Sequence, residues 1–107
     1  MKKTSWLVAT IIVLNIALSS NVDASVIKGK RYYIKLLKAS CGFKGDVMGR
    51  YHTKLEWRNA YRSGKLNETI KQICPTAPDI KSKKKLKNIY HFLSSFASDS
   101  GNVPSCN

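Results

Sequence analysis

Three cysteines, two histidines and a dense run of lysines carry the chemical potential of this 107-residue chain. Cys41, Cys74 and Cys106 never form C-x-x-C, so zinc-ligand spacing is missing and no metal site is expected. A Cys–His nucleophile would need Cys41 beside His52 or His91, and the spacing of the residues gives no sign of that pairing. Beyond residue 24 the acids Asp46, Glu56, Glu68, Asp79 and Asp99 are scattered, and no carboxylate pair for acid–base work stands out. No catalytic residue is assigned, and a non-enzymatic role is expected. In an oxidising compartment three cysteines read as one disulfide and one spare thiol. Cys41–Cys74, Cys41–Cys106 and Cys74–Cys106 all stay open. A bridge of this kind contributes about 3–4 kcal/mol in the chain-entropy picture.

The lysines are the second feature. "KSKKKLK" places Lys81, Lys83, Lys84, Lys85 and Lys87 in seven positions, at the start of an amphipathic segment. The helix macrodipole disfavours cations at that end, so local helix stability does not account for them. They are candidates for docking an acidic partner. The net charge of +13 acts in the same sense, since it favours an acidic protein or an anionic envelope surface and makes association salt-sensitive. No specific nucleic-acid recognition is evident. Asn67-Glu68-Thr69 is a glycosylation sequon, relevant only where exported proteins are glycosylated.

The N-terminus bears on compartment. Lys2 and Lys3 precede an apolar run from Trp6 to Leu18, and Val22 and Ala24 occupy the −3 and −1 positions of a cleavage site. Residues 1–24 are therefore expected to be a signal peptide and 25–107 a single helical domain, periplasmic or secreted, with no transmembrane span after cleavage. The mature chain retains a net charge of +12 once Lys2, Lys3 and Asp23 are removed. A domain of this size has a marginal core, and a crosslink would help it.

The elements that must position these residues read as all-α, with three to four helices. The first is expected over 27–41, with Tyr33, Leu37 and Cys41 at four-residue spacing, Ile34 and Leu36 widening the apolar face, and Gly42 as the stop. Residues 42–52 read as a loop. Thr53 and Glu56 in "TKLE" form a capping box for a second helix, with Leu55, Trp57, Ala60 and Tyr61 as its apolar side and Gly64 at its end. Asn67 caps a short third helix that carries Ile70, Ile73 and Cys74 and stops at Pro75. "PTAPDIKSKKKLK" reads as a basic linker. The final helix, from about Ser82 to Ser98, has the clearest 3.6-residue periodicity: Leu86, Ile89, Tyr90, Leu93, Phe96 and Ala97. "NVPSC" forms an extended tail.

This arrangement resembles a small class I c-type cytochrome domain. "GKRYYIKLLKASC" is similar to the opening helix of that family, "HTKLEWRNAYRSGKL" to its middle segment and "LKNIYHFLSSFASDSGN" to its aromatic-rich closing helix. The resemblance implies a last helix packed across the first. The C-x-x-C-H haem-attachment motif is absent: Lys44 and Gly45, or Lys38 and Gly42, stand where cysteine and histidine would be needed. The expectation is therefore an exported cytochrome-c-like or disulfide-stapled bundle without covalent haem, acting as a binding or accessory protein. Two alternatives remain, a secreted cationic membrane-active effector and an electron carrier with noncovalent haem held by His52 and Met48.

Overall fold

The computed structural model describes residues 24–102. The expected signal peptide, apart from Ala24, and Cys106 with its tail lie outside the described residues. Six helices follow in order: α1 (Ala24–Leu36), α2 (Lys38–Cys41), α3 (Gly45–Gly49), α4 (Lys54–Arg62), α5 (Leu66–Ile73) and α6 (Lys83–Ser95). There is no strand among the described residues. The all-α expectation holds among the described residues, where the expected three to four helices become six for two separable reasons.

The first reason is a break. The helix expected over 27–41 is present as α1 and α2, interrupted at Leu37, whose backbone departs to φ −121°. The hydrogen-bond ladder survives the break: Leu37 donates to the Tyr33 carbonyl at 2.8 Å and Cys41 to the Leu37 carbonyl at 2.9 Å. Gly42 then ends the run in the left-handed conformation, φ 77°, where only glycine escapes a Cβ penalty, and its N–H reaches the Lys38 carbonyl.

The second reason is α3, which lies inside the expected loop. Its composition, with Gly45 and Gly49, argues against a helix. Packing decides otherwise. A Cβ on Gly45 would collide with the Phe92 and Tyr33 rings, and one on Gly49 would meet the Leu93 carbonyl and Phe96. Both glycines let α3 lie directly on the aromatic face of α6. Gly29 plays the same part where α1 meets the Asn88 backbone, and α1 with α6 forms the most extensive helix pair.

The core lies between these helices. Tyr33, Leu37, Met48, Trp57, Leu66, Ile70, Ile89 and Leu93 are the largest fully buried side chains. Burying each contributes about 1.5–3 kcal/mol. The buried polar atoms are matched: Tyr33 donates its hydroxyl to the Phe43 carbonyl at 2.7 Å, and Trp57 Nε1 donates to the Gly49 carbonyl at 2.8 Å. Two residues expected on apolar faces stay in water instead, Ile34 at 48% and Leu55 at 54% exposure. α4 spends its burial on Trp57, and Tyr61 stacks flat on Tyr90 of α6 at 4.7 Å.

Candidate functional site

The lysine run is mounted on a segment that is anything but a free linker. Residues 74–82 have no regular structure, yet Ala77 and Ile80 are buried in the core. Four ties hold this segment. Cys74 is disulfide-bonded to Cys41 across a Cα–Cα distance of 5.5 Å. The Thr76 hydroxyl donates to the Ser40 carbonyl at 2.8 Å, beside that bridge. Asn67 clamps Ile80 with two bonds, its Nδ2 donating to the Ile80 carbonyl at 3.1 Å and its Oδ1 accepting the Ile80 N–H at 3.0 Å. Lys71 pairs with Asp79.

Asn67 was expected to cap the third helix. Lys65 occupies the cap position instead, because α5 starts two residues earlier, at Leu66, and the amide of Asn67 is spent on the distant loop. The sequon is consequently occupied by structure: a glycan on Nδ2 would have to displace the Ile80 clamp. Of the three open cysteine pairings, Cys41–Cys74 is the one formed, and Cys106 lies outside the described residues.

From this anchored segment the chain enters α6. Ser82 caps it, its hydroxyl accepting the Lys85 N–H at 3.3 Å. Lys81, Lys83, Lys84, Lys85 and Lys87 are all exposed. Among the described residues none of them pairs with a carboxylate. Lys85 alone has a neighbour of another kind, the Tyr32 ring, 5.7 Å from its Nζ. The five ammonium groups therefore share a rigid base and face water.

The haem-ligand candidates are placed differently. Met48 is fully buried in the core. His52 packs its ring edge on Trp57 at 5.0 Å, and its Nδ1 lies 3.5 Å from Glu56. Glu56 completes the capping box: Thr53 donates its N–H to Glu56 Oε1 at 2.8 Å, and Glu56 N–H reaches the Thr53 hydroxyl at 3.1 Å. That backbone bond, followed by the Thr53 hydroxyl and His52, holds the Glu56 carboxyl below its usual range. Cys41 is consumed in the bridge. Neither His52 nor Met48 lines the groove along α1. No group of three or more His, Cys, Asp or Glu side chains that could hold a metal occurs among the described residues.

A groove of about 440 Å³ runs along α1. Val26, Lys30, Ile34 and Lys38 form one wall at four-residue spacing along α1 and α2. Lys44, Gly45 and Asp46 face them, and Tyr33 with Phe92 and Phe96 supplies an aromatic floor. Burial, then the nearby Asp46 charge, pushes the Tyr33 hydroxyl up to about 12. The sequence reading missed this groove. Its one local signal is the alternation of apolar and basic residues at positions 26, 30, 34 and 38; of these the sequence places only Ile34 on the apolar face of the first helix.

Comparison with protein-family models, with curated proteins and with solved structures finds no match.

Proposed function

We propose that this chain is an exported, non-catalytic binding protein whose Lys81–Lys87 face docks an acidic partner, a protein or an anionic envelope surface. The single observation that carries the reading is the anchoring of the lysine run. A solvated basic tail kept only for solubility needs no fixed base. Here a disulfide, the Asn67 clamp and the Lys71–Asp79 pair all converge on the residues just before Lys81. Fixing like charges side by side is unfavourable in the free protein and helps when an anion arrives, because the cations are already in place.

The cytochrome-like scaffold belongs to the same proposal. The extensive α1–α6 pairing supports it, and the protein would use that scaffold for docking with no haem bound.

The test is affinity for a defined polyanion, polyglutamate, at low and high salt. Lys83→Glu/Lys84→Glu/Lys85→Glu is compared with an equal charge change at exposed sites elsewhere, Lys28→Glu/Lys35→Glu/Lys54→Glu. The first set weakens binding by about tenfold or more and the second by much less. Equal losses would reduce the interaction to net charge. Leakage from anionic vesicles measured in parallel addresses the membrane-active alternative, and the docking reading expects none.

A further inference from the structure

From the groove on α1 we infer that the protein has a second, independent binding site, for a single-chain anionic amphiphile of the fatty-acid type. Three observations define that ligand. The first is shape. Val26 and Lys38 are twelve residues apart on a nearly continuous helical ladder, so the wall between them runs about 18 Å. A long slot of about 440 Å³ suits a slender chain and falls within the small-molecule range.

The second is the character of the floor. Phe96 is partly exposed there, Tyr33 and Phe92 back it from the core, and the Tyr33 hydroxyl is committed to the Phe43 carbonyl. No buried side-chain polar atom among the described residues lacks a hydrogen-bond partner. The floor therefore has no orphaned donor or acceptor with which to read a sugar or a nucleobase, whereas a hydrocarbon needs none. Ile34, 48% exposed on the wall, is apolar surface that such a chain would cover.

The third is charge. Lys30, Lys38 and Lys44 ring the groove against a single carboxylate, Asp46, which is itself buried and accepts the Val47 N–H at 2.9 Å. The rim is net cationic and the floor apolar, which is the complement of an anionic head on an apolar tail. The lysines of this rim are different residues from those of the docking face, so either site can fail without the other.

The experiment is displacement of a fluorescent carboxylate-bearing fatty-acid probe from the full chain purified in its exported form. Palmitate, methyl palmitate, acetate and phosphatidylglycerol vesicles serve as competitors. Palmitate is expected to displace the probe, methyl palmitate about tenfold less well, and acetate not at all. Ile34→Glu, at an exposed position, weakens binding by at least about tenfold and Lys38→Glu by several-fold. Lys83→Glu/Lys84→Glu/Lys85→Glu leaves it unchanged. Four results overturn the assignment: no displacement by palmitate, equal affinity in Ile34→Glu that is folded by circular dichroism, an equal loss in the Lys83–Lys85 variant, or displacement by vesicles alone.

Discussion

Asn67 holds Ile80 across thirteen residues of sequence, giving and accepting one hydrogen bond each with the Ile80 backbone. No repeat of local structure requires this clamp. It turns the segment after the disulfide into a fixed base, on which the lysines of α6 stand. Replacing Asn67 with Ala leaves a buried residue's backbone N–H and carbonyl without partners. The expected cost is about 1–3 kcal/mol in denaturant unfolding. Amide exchange at Ile80 should quicken by more than the global loss of stability accounts for, and an unchanged exchange rate there would separate the clamp from the loop's rigidity.

The Cys41–Cys74 bridge ties the end of α2 to the end of α5. Cys41→Ser/Cys74→Ser is expected to lose about 3–4 kcal/mol, read as a lower midpoint in urea. Peptide mapping without reduction should recover the Cys41 and Cys74 peptides joined, and alkylation of the native protein should mark Cys106 alone. A joined peptide that contains Cys106 would contradict the pairing.

Two glycine substitutions separate backbone conformation from helix contact. Gly42→Ala meets no neighbouring atom but must hold φ 77°, at a cost of about 1–2 kcal/mol. Gly29→Ala has no such backbone problem, yet its Cβ would run into the Asn88 carbonyl, so α1 and α6 must separate. Its cost should equal or exceed about 1–3 kcal/mol, and it should disturb near-ultraviolet circular dichroism, which Gly42→Ala leaves alone.

Tyr33 gives a pH signature. Its hydroxyl is raised from about 10 to about 12 by burial and by Asp46. Between those values the unfolded chain has lost the proton that the folded chain keeps, so folding stability falls as pH rises. The contribution is fully present below pH ~10 and is lost as pH rises through about 12. Absorbance at alkaline pH should show one of the five tyrosines ionising late, and Tyr33→Phe should remove that late phase and flatten the alkaline limb of the stability curve. A late phase that persists in Tyr33→Phe would assign it to another ring.

What the residues disclosed in advance follows their range of action. The Thr53–Glu56 capping box, the Gly42 stop and the periodicity of α6 act within a few residues, and each appears where the sequence places it. The helix at Gly45–Gly49 is not legible locally because its cause is distant. Gly45 and Gly49 look like loop glycines until Phe92, Leu93 and Phe96 arrive from a helix more than forty residues away. Asp99 is similar: it looks like a terminator of its own helix, yet its Oδ1 accepts the Lys54 N–H at 2.9 Å and so supports the start of α4. The lysine run was legible as composition. Its anchoring was not, since Asn67, Lys71 and Cys41 reach it only in three dimensions.

The most direct measurement of the central claim is amide-shift mapping of the isotopically labelled protein as polyglutamate is added at low salt and again at high salt. The account predicts that the shifts concentrate between Thr76 and Tyr90, that they fade at high salt, and that Asn67→Ala weakens them several-fold although every lysine remains. Shifts spread evenly over Lys28, Lys35, Lys54 and Arg58 as well, with Asn67→Ala indistinguishable from the parent, would contradict it.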